Sequence, residues 1–203
     1  MRVKTRLYGL LVAAIAGLLL VGMVGVYNAQ QQSQFGEQAS AITNVVRAQM
    51  QSDMMHDAIR GDVLNAIRLV SGKYTPEERK ALETELTEHS QTFDKEMEFV
   101  AQQKIPEVDT QLDVLRADLK AYERAAADVV AAAFVGRAQA DALWPAFEDK
   151  FSKLEESMGK LGDTIEKKAA VVKADAASQG QTLLWVNWGV IAITSISVLA
   201  LGL

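Results

Sequence analysis

Two charge-free runs, one at each end, constrain this chain more than any other feature. No charged residue occurs between Arg6 and Glu37, and none follows Asp175. Within the first run, Leu7 to Tyr27 is 21 residues of almost unbroken apolar sequence. At about 1.5 Å per helical residue that is enough to cross a hydrocarbon core of roughly 30 Å. Leu183 to Leu203 has the same length and opens with Trp185 and Trp188, whose rings favour the headgroup level. The sequence therefore predicts two transmembrane helices, 7–27 and 183–203. A cleaved signal peptide fits the first run less well, because its apolar core exceeds the usual 7 to 15 or so residues. Arg2, Lys4 and Arg6 assign residues 1–6 to the cytoplasm, so 28–182 is expected on the outer side. No basic residue follows the second span, and the chain reads as a piece of a longer protein.

The segment between the runs is acidic. It holds 18 of the 21 Lys and Arg and all 26 Asp and Glu, a formal balance of −8. That sign argues against nucleic acid and against adhesion to an anionic lipid surface, leaving lipid contact to the two spans. With no cysteine in the chain there is neither a disulfide framework nor a thiolate metal site, and packing alone must hold the segment.

Its three prolines punctuate helices. Thr75-Pro76-Glu77-Glu78 has the capping-box spacing, with Thr75 as N-cap, Pro76 at the first helical position and Glu78 at the third. Pro106 marks a second break and Gly136 a third, with Pro145 near the start of the helix that follows. Helices are predicted at roughly 28–71, 76–103, 106–135 and 140–182. Apolar residues recur at steps of three and four in each, the third being cleanest with Val108, Leu112, Leu115, Leu119, Tyr122, Ala126, Val129 and Ala133. Short connections make neighbours antiparallel, so the fold class is all-α, an up-down-up-down four-helix bundle whose first and fourth helices continue into the transmembrane helices. Motion of the fourth helix could then pass directly into the second span.

The basic start with its first span, the stretch Met55-His56-Asp57-Ala58-Ile59-Arg60-Gly61-Asp62-Val63-Leu64, and Leu143-Trp144-Pro145-Ala146-Phe147 with Phe151 and Leu154 carry a resemblance over the whole chain. It resembles the periplasmic four-helix-bundle sensor module of bacterial methyl-accepting chemotaxis proteins, a module that sensor kinases and cyclases also use. The resemblance implies an inner-membrane receptor, multi-pass and dimeric, that detects a small periplasmic solute such as an amino acid or organic acid. It further implies, beyond these residues, a HAMP domain and a methylated coiled-coil hairpin acting on a histidine kinase and its adaptor. Some family members bind ligand between the first and fourth helices of two subunits through arginines. Arg60 and Arg68 lie in that part of the first helix, but the arginine spacing of the aspartate and serine receptors is not reproduced, nor is their threonine contact at the start of the fourth helix.

Two groups of residues are candidate sites. Counting from the turn near residue 73, His56 and His89 fall at nearly the same height on adjacent helices, with Tyr122 within about one turn of them. They form a predicted polar core layer, read as hydrogen bonds that fix register. The sharper reading is a metal or ligand site joined by Asp53, Asp57 or Glu85, but two imidazoles with loose carboxylates are a poor metal set, and no metal or cofactor is expected. The second group lies beside the core stripe of the first helix: Val46, Met50, Asp53, Asp57, Arg60, Leu64 and Ile67, charges set among apolar residues as at a subunit contact. Asp57 and Arg60 either pair along the helix, or Arg60, supported by Arg68, is a fork for a ligand carboxylate across a dimer. Arg116 and Arg124 read as solvated. No nucleotide-binding, metalloprotease or hydrolase motif occurs, and a narrow bundle without long loops has few places to enclose a substrate, so no enzyme is expected. A sensor kinase or diguanylate cyclase input module, and a ligand-free bundle that binds a periplasmic partner protein, remain as alternatives.

Overall fold

The computed structural model describes residues 2–202, with the side chains of residues 2–7, Leu10, Ala13, Val198, Ala200 and 201–202 outside the description. The side chains of Arg2, Lys4 and Arg6, which carry the orientation signal, therefore lie outside the description, as does Leu203 at the end of the second predicted span. Four helices account for the described chain: α1 (Arg2–Val70), α2 (Pro76–Gln102), α3 (Pro106–Val135) and α4 (Arg137–Gly202). The middle breaks fall where the prolines place them. The fourth helix starts at Arg137, three residues ahead of the predicted 140, so Pro145 lies inside it.

Local chemistry sets the start of α2. The Thr75 side chain accepts from the Glu78 backbone N–H at 3.2 Å, and the Glu78 carboxylate accepts from the Thr75 N–H at 2.8 Å. Pro76 at the first position supplies a preset φ and has no N–H to strand. Thr75→Ala is expected to cost about 1 kcal/mol, read as a lower denaturation midpoint, whereas Thr75→Ser should be nearly neutral. An equal loss for both would assign the effect to the threonine methyl rather than to the cap. The start of α3 has no such side-chain cap at Ile105 and relies on Pro106 and the acidic Glu107 and Asp109 in its first turn.

The chain divides into two compact units. One, residues 41–168, carries the core. Its α1–α4 contacts run in opposite senses, with residue 49 meeting 158, 56 meeting 151, 60 meeting 148 and 137 meeting 71. The α3–α4 contacts do the same, with 107 meeting 168, 111 meeting 164 and 118 meeting 157. Residues 94 and 98 of α2 meet 120 and 116 of α3, and Asp62 of α1 meets His89 of α2. Each helix thus touches the next in sequence and α4 closes on α1, which is the up-down-up-down bundle. Buried residues follow the predicted stripes: Ile42, Val45, Ile59, Val63 and Ala66 on α1, Leu82, Leu86, Phe93, Met97 and Val100 on α2, the whole α3 series, and Phe147, Leu154, Met158, Leu161 and Ile165 on α4. Gln49 and Glu96, on the same stripes, are half-buried.

The other unit pairs α1 up to Ser40 with α4 from Ala169 onward. Leu18, Met23, Trp185 and Ile193 are exposed in it. Among the described residues one helical segment, Ala14–Val70 of α1, contains a stretch long and apolar enough to cross a membrane. Here the two helices approach closely: a side chain added at Gly17 would run into the Thr194 methyl.

Candidate functional site

Where α1 crosses α4 in the bundle, one turn of α1 gathers most of the chemistry. Arg60 donates from Nε to Glu148 Oε1 at 3.0 Å and from a terminal nitrogen to Glu148 Oε2 at 3.2 Å, a two-point fork from α1 to α4. Its guanidinium also lies 4.8 Å from the centre of the Phe151 ring, an attraction between cation and ring quadrupole. Phe151 follows Glu148 by three residues, so one face of α4 supplies both contacts. The bond to Glu148 raises the Arg60 pKa further above its ordinary value. Both side chains remain about one-third exposed, 37% and 32%, so water and solutes reach the pair. In such a half-solvated place an ion pair contributes modestly to stability.

One turn earlier, His56 stacks on the same Phe151 ring, centroids 4.1 Å apart and planes 9° off parallel. Its Nε2 lies 3.3 Å from the Phe151 carbonyl oxygen, which can only accept, so that nitrogen carries the proton. Burial lowers the His56 pKa, against the backbone hydrogen bond and the nearby carboxylates of Asp57, Glu155 and Asp53. The imidazole is thus held neutral near pH 7. Tyr122 lies under it on α3: its hydroxyl donates to the His56 carbonyl at 2.8 Å, and burial drives the phenol pKa far up. Tyr122 also stacks on Phe147 at 5.3 Å.

His56 and Tyr122 therefore meet as the sequence predicts, but His89 does not join them. Its Nδ1 sits 2.7 Å from Asp62 Oδ2, on the α1–α2 side. Asp62 is buried, and burial raises its pKa against the hydrogen bond and charge of His89. The predicted layer is two separate polar contacts. Among the described residues no three His, Cys, Asp or Glu side chains come together in the way a metal ion needs.

The second predicted group is also divided. Arg60 turns across to Glu148 rather than along its own helix to Asp57, while Asp53, Asp57 and Arg68 are exposed. Ile67 is part of the core, and Met50, Leu64 and the additional Met54 are exposed on α1 at 64%, 43% and 61%. Arg116 is paired with Glu98 on the surface. Two residues went unnoticed in the sequence. Glu148 lies three residues before Phe151 on α4, a spacing that hints at a shared face and gives no partner. Asp118, next to the core residue Leu119, is buried between α3 and α4. Burial pushes its pKa up, but a hydrogen bond from Ser157 at 2.7 Å and the ammonium of Lys153 at 3.0 Å outweigh it and hold the carboxyl below its usual range.

With this geometry in place, comparison with known proteins gives one family. The sequence model described as a four helix bundle sensory module for signal transduction matches residues 1–179. No curated protein and no solved structure matches the chain.

Proposed function

This chain belongs to the family of four-helix-bundle sensory modules for signal transduction, and from that premise we propose that it is the sensing part of a bacterial inner-membrane chemoreceptor. The charge-free ends of α1 and α4 lie in the bilayer, and residues 28–182 stand in the periplasm. The exposed apolar side chains of the 1–40 and 169–203 unit fit lipid better than water. A small acidic solute, an amino acid or organic acid, binds at the α1–α4 contact, and the displaced α4 carries the change into the second span. Beyond this segment the output is a histidine kinase with its adaptor. Met50, Met54 and Leu64 on the outer face of α1 supply the contact to a second copy.

The observation that carries this reading is the Arg60 fork. A guanidinium seated on Phe151, about one-third exposed to water and bonded at two points to a carboxylate, is built for the chemistry of a ligand carboxylate. Glu148 occupies the fork in this structure, so an incoming acid must displace it and thereby loosen α1 from α4. Arg68, exposed about two turns further along the same helix, adds positive charge on the approach, and the exposed carboxylates of Asp57 and Asp53 suit the ammonium of an amino acid rather than its carboxylate.

The test is thermal unfolding of the chain in lipid discs with aspartate, glutamate, serine, malate, succinate and citrate. A true ligand at about 100 times its Kd stabilises by about 2.7 kcal/mol, which at roughly 2–4 °C per kcal/mol raises the midpoint by about 5–10 °C. Arg60→Ala should abolish the shift, and Glu148→Gln should tighten binding by about tenfold because the competing charge is gone. Affinity unchanged in Arg60→Ala would sink the fork. The filled fork favours one alternative, a bundle that binds a periplasmic partner protein with no small ligand. That reading gains if none of the acids moves the midpoint while a periplasmic extract does. The same module on a histidine kinase or diguanylate cyclase differs only in output and predicts the same ligand data.

A further inference from the structure

The pairing of 60 with 148, 56 with 151 and 49 with 158 sets the levels along the α1–α4 seam of the bundle. The two sides of the fork differ in chemistry. Asp53 lies seven residues before Arg60 on α1, and Glu155 seven after Glu148 on α4. Seven residues are two turns in either helix, so these carboxylates stand level with each other on the faces that meet at the fork. Asp57 lies between them and Arg60. All three side chains are exposed, and none of them is in an ion pair. Their charges reach His56, and that of Asp57 reaches Arg60 as well. Like charges facing one another across a seam oppose the contact, and a cation placed among them relieves it. On the other side of the fork Trp144 lies one turn before Glu148 on the same face of α4. It is half-buried, with its ring 5.4 Å from that of Phe147. With Phe151, also half-buried, it flanks Glu148 along the helix by two aromatic rings.

We propose that the solute taken at the fork is an α-amino acid with a large apolar side chain, aromatic or branched. Its carboxylate takes the place of Glu148 on Arg60, its ammonium turns toward Asp57 and Glu155, and its side chain lies along Trp144. This rests on the reading that a ligand carboxylate displaces Glu148 from the fork. Each part of the solute then meets its complement: a fork for the carboxylate, unpaired carboxylates for the ammonium, and an aromatic surface for the apolar chain. A dicarboxylic acid matches only the first, and it brings a second negative charge beside three that are already uncompensated. An acid without an amino group leaves those three as they are.

The full chain in lipid discs is titrated calorimetrically with L-phenylalanine, L-leucine, 3-phenylpropionate, L-aspartate and succinate. Phenylalanine and leucine should bind about tenfold or more tighter than aspartate, which leaves Trp144 uncovered. 3-Phenylpropionate, which lacks the ammonium, should also be weaker than phenylalanine by about tenfold. Trp144→Ala should lower the affinity for phenylalanine by about tenfold and leave that for aspartate within about twofold. Because both ligands are read on one protein, their ratio separates the contact from any loss of folded chain. Asp57→Asn, an exposed change, should weaken phenylalanine by about fivefold and leave 3-phenylpropionate unchanged. Phenylalanine and leucine no tighter than aspartate, 3-phenylpropionate as tight as phenylalanine, or an equal loss for both ligands in Trp144→Ala would each overturn the proposal. Aspartate or succinate bound through Arg60 while phenylalanine is refused overturns this specificity and leaves the fork standing. Phenylalanine binding that survives Arg60→Ala, or no binding of any of the five, overturns the fork and the specificity with it.

Discussion

Replacing Tyr122 by alanine is expected to destabilise the bundle by about 3–5 kcal/mol, and to lower its thermal midpoint by about 6–20 °C. The ring has no exposed surface. It packs with Phe147 at 5.3 Å, His56 at 5.1 Å and Phe151 at 6.1 Å, so α3 fills the space between α1 and α4 through this one side chain. Truncation leaves a cavity that three helices would have to close together, and close packing resists such collapse. The hydroxyl contributes separately. Tyr122→Phe removes only the bond to the His56 carbonyl, which keeps its place in the α1 helix, and should cost about 1 kcal/mol. Circular dichroism during denaturation of the chain in detergent measures both. Equal losses for the two variants would place the stabilisation in the hydrogen bond and contradict the packing account.

Tyr122 also illustrates what the sequence makes legible. Its position on an unbroken three-four stripe is enough to bury it, because burial on a bundle helix depends only on angular position. Thr75 and Pro76 are legible for a similar reason, since capping is settled within four residues. Partners on other helices are another matter. His56 and His89 look level when counted from residue 73. Asp62 and His89, however, meet about a midpoint between residues 75 and 76, because the non-helical residues after Val70 and the start of α2 at Pro76 push the reversal further along. Six residues separate Asp62 from His56, about 9 Å along the helix, enough to give His89 a different partner. Arg60 is the same lesson in rotation. Spacing within α1 offers Asp57, but the phase of α4 brings Glu148 to it, and no pattern inside either helix encodes that phase.

Asp62 and His89 give the second large effect. A carboxylate only 4% exposed, with an imidazole as its hydrogen-bond partner, is stable only while that partner remains. His89→Leu removes the donor and leaves a buried charge, at an expected cost of about 3 kcal/mol near pH 7, the low end for a broken buried pair because His89 is itself partly exposed. Asp62→Asn keeps a polar partner and removes the charge, so it should cost less. The pH dependence distinguishes this from loss of packing. Burial sets the Asp62 pKa above its ordinary value in the folded chain. The stabilisation linked to its protonation is therefore fully present below the unfolded carboxylate pKa and is lost as pH rises through the folded one. Without His89 the folded value rises further, so the deficit of His89→Leu should shrink as pH falls from about 7 toward about 4. Asp62→Leu combined with His89→Leu should recover much of the single loss, since no buried charge remains to be matched. Denaturation midpoints across that pH range decide the matter. A deficit that stays constant with pH, or that doubles in the double variant, would mean that His89 acts through its volume rather than through the Asp62 carboxylate.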